Sequence, residues 1–265
     1  MDHDTWIGEY TQGCRHLWPI AVFSPPRRRR AMLALLAFDA ELRRIPHKVK
    51  EPMLGAMRYQ WWRDMLGGAS GDMPVGSPPL VRALAGILDD PTLPGGLARA
   101  SAAALIDAAQ DKLTPVSPAD VDLLKNRATA VARAQGALMR CILMGGGSDN
   151  LDVNEDALFH ALRALEALAG LSERALGEKA FGEPLKAALL ACAEEAIVTA
   201  AALSAGVDKK LRPALVAITL GRLVLFDVRK HGVGAGALRR SRPLCARLTP
   251  WRLTRLGWAV WRGRF

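Results

Sequence analysis

Residues Ala31 to Leu66, AMLALLAFDAELRRIPHKVKEPMLGAMRYQWWRDML, decide how this chain is read. The stretch reads as two helices broken at Pro46, since proline lacks the N–H that a helix interior uses. Glu51-Pro52 starts the second, with proline early in the helix where its missing donor costs little. From there Leu54, Met57, Arg58, Trp61 and Met65 fall on one face at helical spacing. A face of that size is expected to be mostly core, so Arg58 should find a buried carboxylate or a ligand. Trp61 and Trp62 are adjacent and cannot both face inward squarely. One of them is expected at a groove or the surface, with Met57, Trp61 and Trp62 as its candidate lining.

Composition carries the helical reading outward. Half of the 265 residues are apolar, and aromatic residues are few. Much of the apolar content is alanine and leucine, which lose least on entering a helix. Nothing forces two domains, so one helical domain is expected over residues 1–265. Cys14, Cys141, Cys192 and Cys245 are scattered without paired spacing and are expected to be reduced and mostly buried. The net charge of +10 favours anionic partners: nucleic acid, acidic proteins or the anionic face of a membrane. No helix-turn-helix, zinc or RNA-binding signature accompanies that charge, so nucleic acid is not expected.

The remaining elements follow from punctuation. A first helix is expected over about Trp6 to Trp18, ending before Pro19. Ser24-Pro25-Pro26 reads as a cap and start, with Arg27 to Arg30 at the beginning of the Ala31–Ile45 helix. Four arginines at the positive end of a helix are unfavourable unless something anionic compensates, or they are simply solvated. Residues 67–79 read as a loop. Helices are expected near 79–89, 95–112, 118–144 (stopped by Gly145-Gly146-Gly147), 154–176, 183–206 and 210–230. Asp107 and Asp111 are one turn apart, a spacing that can hold a metal, although beside Lys112 they are more simply solvated. His231 to Gly236 lacks the preceding strand of a dinucleotide loop and reads as a turn.

The tail, at about 249–263, starts at Thr249-Pro250. Leu253, Leu256 and Val260 form a narrow apolar stripe, with Trp251, Trp258 and Trp261 interleaved with Arg255 and Arg262 opposite. Tryptophan and arginine together suit a lipid headgroup region or a partner surface; alternatively the tryptophans dock the helix on the bundle. The N-terminal MDHDTWIGEY is acidic and lacks an apolar run, so neither a secretory signal nor a transit peptide is expected. No uninterrupted apolar segment reaches the ~18 residues that spanning requires, with Glu194, Glu195 and Arg222 as interruptions, so no transmembrane segment is expected.

LLAFDAEL followed by EPMLGAMRYQWWRDML resembles the squalene/phytoene synthase family. Ala104-Leu105-Ile106-Asp107 and Gly136-Ala137-Leu138-Met139 resemble its later blocks in the right order. The resemblance implies an all-α, single-domain helical bundle of the trans-isoprenoid synthase type around a central cavity. It also implies condensation of prenyl diphosphates with magnesium bound by two aspartate-rich motifs. Carboxylate-clamped magnesium neutralises a departing diphosphate, which is why such motifs are needed.

Laid on the family without gaps, this chain puts Arg43, Arg44 and His47 on the first acidic positions. In Ala161–Arg174, the best candidate for the second motif, Gly170 and Arg174 take the acidic positions. The family's tyrosine-leucine-proline segment is not recognisable. Cations there repel magnesium but can bind a diphosphate or headgroup directly. A non-catalytic member is therefore expected, with no catalytic residue, metal or cofactor. Arg43, Arg44, Arg58 and Arg63 are its candidate anion contacts.

Trp61-Trp62-Arg63 and the Trp258 to Arg262 tail are similar to a phytoene-synthase-like subgroup that assembles respiratory complex I. That similarity implies a respiratory complex subunit or assembly protein, an anionic membrane surface, and a prenyl or lipid ligand as partners. It places the chain in the cytoplasm, peripheral on the inner membrane, or on the matrix side if mitochondrial. The alternative is an active, magnesium-dependent prenyltransferase with a rearranged acidic set drawn from Asp39, Glu41, Asp107 and Asp111.

Overall fold

The structure, a computed structural model, describes residues 17–68, 73–74, 76–114, 120–145, 155–175, 183–231 and 250–262. Every regular element among them is helical, as expected. In chain order these are α1 Trp18–Phe23, α2 Pro26–Lys48, α3 Pro52–Gly67, α4 Pro79–Leu88 and α5 Gly95–Gln110, the last followed by a 3₁₀ turn Asp111–Leu113. Then come α6 Val121–Met144, α7 Glu155–Ala175, α8 Glu183–Leu203 with a 3₁₀ turn Ser204–Gly206, α9 Val216–His231 and α10 Pro250–Arg262. The chain divides into two compact units, Met1–Pro115 with Ala137–Asp149, and Val116–Gly136 with Asn150–Phe265.

The first unit is built on α2, which packs with α1, α3, α4 and α5. From Ala34 to Leu42 every residue except Glu41 is buried, so the helix is enclosed on nearly all sides. Three local expectations are corrected here. The helix does not end at Pro46 but continues through it to Lys48. Proline withholds the N–H that would have reached the carbonyl of Leu42. The buried hydroxyl of Tyr59 lies 3.0 Å from that oxygen and supplies the missing donor.

Likewise Pro19 does not close a helix but sits in the first turn of α1, where its lost donor is an orphan anyway. The rest of the expected Trp6–Trp18 helix lies outside the described residues. Ser24 does not cap α2; its hydroxyl donates to the carbonyl of Ile20 at 2.7 Å and closes α1 instead.

Arg27 to Arg30 fall within the first turns of α2. Arg28 donates to Asp90 at 3.3 Å and to Thr92 at 3.2 Å, and Arg29 to the carbonyl of Val22 at 3.1 Å. Hydrogen bonds from the Thr92 hydroxyl and backbone, with Arg28 nearby, hold the Asp90 carboxyl below the usual carboxylate range. Gly145, the first of the expected stop glycines, takes φ +69 directly after α6, a conformation that favours glycine.

In the second unit α7 packs along α8, both meet α9, and α10 lies on α9. A Cβ on Gly221 would come 2.8 Å from Ile197 Cδ1, so glycine is what lets α8 and α9 approach this closely. Cys141 and Cys192 are free and buried, and burial pushes the Cys141 thiol up. Cys14, Cys245 and the segment after His231 lie outside the described residues.

One described stretch, Ala187–Gly206, is long and apolar enough to cross a membrane by length and composition, despite Glu194 and Glu195 within it. Its contacts with α7 and α9, and the pairing of Glu194 with Arg229 at 2.5 Å, are those of a bundle helix.

Candidate functional site

The central feature of the first unit is the way α3 is turned. Its buried residues are Gly55, Tyr59, Trp62 and Leu66. Leu54, Met57, Arg58 and Trp61, expected as core, are exposed, and Met65 is half-buried. That correction has a steric cause. A Cβ on Gly55 would stand 2.6 Å from Leu113 Cδ2 and 3.3 Å from Val49 Cγ2. The bare Cα lets α3 settle this closely without displacing the Leu113 side chain. Tyr59 then reaches the carbonyl of Ala109 as well as that of Leu42, each at 3.0 Å. Trp62 meets Phe38 edge-on with centroids 5.0 Å apart, while Trp61 leans on Trp62 at 5.1 Å from the outside.

A cleft of about 270 Å³ opens beside this helix, lined by Glu41, Ile45, Arg58, Trp61, Trp62, Pro78, Leu80 and Val81. Ile45, Leu80 and Val81 make its lining largely apolar, and Glu41 and Arg58 bring the charge. Met57, grouped with the two tryptophans as groove lining, is 63% exposed and is not among the lining residues.

Three of the four acidic candidates, Asp39, Glu41 and Asp107, are each claimed by an arginine. Arg43 Nε donates to Asp39 Oδ2 at 2.8 Å, with the Asp39 side chain almost fully buried. Arg44 pairs with Glu41. Arg63 donates to Asp107 Oδ1 from Nε at 3.1 Å and from Nη2 at 2.6 Å, and also to Gln110 Oε1 at 2.6 Å. Asp107 and Asp111 are exposed. Three of the four candidate anion contacts are therefore already matched inside the chain. Arg58 is exposed and has no carboxylate partner among the described residues.

Magnesium keeps several waters and is held by carboxylates together with the phosphates of the substrate. Among the described residues no three of the His, Cys, Asp and Glu side chains lie close enough to hold a metal. Asp39, Glu41 and Asp107 each carry a guanidinium beside the carboxylate, which disfavours a cation there. Gly170 and Arg174 lie in α7, but their side chains fall outside the described residues.

On α10 the apolar stripe faces in through Leu256, which is 1% exposed. Trp258 and Trp261 face out, at 57% and 76% exposed. Trp258 and Trp261 therefore do not dock the helix. The Arg262 guanidinium lies over the Trp258 ring at 4.5 Å, a cation–π contact, and the two indoles meet edge-on at 6.4 Å. Arg212 donates to the Trp261 carbonyl at 3.4 Å. The side chains of Trp251 and Arg255 lie outside the described residues.

What the sequence reading missed was the inward stripe of α3. Its signal was Gly55, a helix position without a side chain, four residues before a tyrosine. Among comparisons with known proteins, the family model for squalene/phytoene synthase matches residues 20–169, more than half of the chain. No curated protein matches the chain.

Proposed function

The chain belongs to the squalene/phytoene synthase family, and on that premise we propose that it is a non-catalytic member. In this reading it works at a membrane surface, holding a prenyl or lipid chain or serving the assembly of a respiratory complex. The observation that carries the reading is the arginine pairing of the carboxylates: Asp39 with Arg43, Glu41 with Arg44, Asp107 with Arg63. An acid already neutralised by a guanidinium is a poor magnesium ligand, and the cation beside it repels the ion. Without that ion the Lewis acid that would offset the charge of a departing diphosphate is missing.

The outward face of α10 supports the surface half of the reading. An amphipathic indole beside a guanidinium suits the headgroup layer, where ring and cation are both satisfied. The location that follows is peripheral on the inner face of an energy-transducing membrane.

The test is incubation of the full chain with farnesyl or geranylgeranyl diphosphate and magnesium, reading inorganic diphosphate release. We expect none above the protein-free blank. Release at a synthase-like rate, lost in Glu41→Gln or Asp107→Asn, would mean an active prenyltransferase with a rearranged acidic set.

A further inference from the structure

We propose that the outward face of α3, with the cleft beside it, is a docking groove for an amphipathic helix of a partner protein. That helix would carry a carboxylate about one turn from a bulky apolar anchor. Leu54, Met57 and Trp61 are 46%, 63% and 41% exposed and stand one turn apart along α3. An apolar row at this spacing, continuous with a recess, is how helix-in-groove sites are built. Methionine suits such a surface because its unbranched thioether adapts to the shape laid on it. The cleft of about 270 Å³ at the Trp61 end, lined by Ile45, Leu80 and Val81, has room for the anchoring side chain.

Charge selects the occupant. Arg58 sits within the apolar row, lines the cleft, and has no carboxylate partner among the described residues. Neighbouring Glu41 is already taken by Arg44, so the groove presents one uncommitted cation. A carboxylate arriving on a docked helix would be held there partly out of water, where the pair counts for more than on an open surface. A second copy of this chain is a poor fit. Arg58 lies near the middle of the row, and two-fold pairing would bring it towards its own mate. A lipid surface is also a poor fit, since the row is flanked by exposed Glu51 and Asp64 and opens into a recess.

The proposal rests on Arg58 and the apolar row, not on Glu41, the one acidic candidate that lines the cleft, and stands whether or not the chain releases diphosphate. Its test uses the full chain against a displayed library of amphipathic helical peptides of roughly 20 residues, long enough to hold a helix once docked. The apolar stripe is fixed and the polar positions vary. Selected peptides should place Asp or Glu one turn from the anchor and bind Arg58→Glu at least about tenfold more weakly. Replacing that acid by Lys should restore binding to Arg58→Glu. A second variant, Met57→Ser, should weaken every selected peptide, and both substitutions are on exposed positions that leave the fold intact.

Three results would overturn the proposal. One is selection without acid preference, or binding indifferent to both variants. Another is loss of binding to phosphatidylglycerol vesicles in these variants with peptide binding unchanged, which makes the face lipid-directed. The third is a dimer of the unmodified chain that dissociates in Met57→Ser.

Discussion

On α3 one stripe, Gly55, Tyr59, Trp62 and Leu66, faces in, and another, Leu54, Met57, Arg58 and Trp61, faces out. By helical spacing alone either stripe could be core. The inward one wins because it permits close approach and supplies a hydroxyl to the Leu42 carbonyl, which Pro46 leaves without its helical donor. Burial on this helix follows what the neighbouring backbone can accept, not only what water rejects. The sharpest way to break the contrast is to truncate the two adjacent tryptophans. Trp62→Ala removes a buried ring packed on Phe38 and should cost about 3–5 kcal/mol, as large-to-small core changes do. Trp61→Ala should cost under about 1 kcal/mol, since exposed positions rarely cost more. Urea unfolding of both variants checks this; equal losses would mean the outward face is covered in the folded chain.

The same inward–outward contrast extends to the ion pairs. Asp39 is 2% exposed and sits under Arg43, whereas the side chain of Asp107, paired with Arg63 on α3, is 64% exposed. Removing one partner of a buried pair strands the other charge, so Asp39→Asn should cost on the order of 3 kcal/mol. Asp107→Asn breaks a pair that water already screens and should cost at most about 1 kcal/mol. Thermal unfolding separates the two, and comparable shifts in Tm would remove the distinction between structural and surface carboxylates.

How much of this was legible beforehand depends on what kind of signal each feature leaves. The helices themselves were readable, because alanine- and leucine-rich runs bounded by Pro and Gly leave few alternatives, and α4 to α8 fall close to their expected limits. The pairing of adjacent Trp61 and Trp62, one in and one out, follows from helical geometry alone. Which stripe of α3 faces in was not readable. Two stripes at equal spacing compete, and the choice rests largely on Leu113, distant in sequence and close in space. The arginine pairings within α2, Arg43 with Asp39 and Arg44 with Glu41, follow the spacing of facing residues and could have been read from it. The Arg63–Asp107 pair spans two helices and could not.

Pro46 is where local and tertiary signals collide most directly, and it gives the finest test. Proline inside a helix forfeits a hydrogen bond and leaves the carbonyl four residues earlier without its donor. Here that carbonyl is Leu42's, and the Tyr59 hydroxyl, itself buried, lies 3.0 Å from it and equally close to Ala109's. Tyr59→Phe should therefore cost about 1–3 kcal/mol, the range for leaving buried polar groups unpaired. In a Pro46→Ala background the new backbone N–H can serve Leu42 directly, so that carbonyl no longer depends on the tyrosine. The cost of Tyr59→Phe should then fall by roughly 0.5–1 kcal/mol, the size expected for residues that share a partner. Chemical denaturation of the four proteins in the cycle measures that coupling. A coupling of zero would mean that α2 tolerates Pro46 without help from α3, and that the tyrosine is buried for its ring alone.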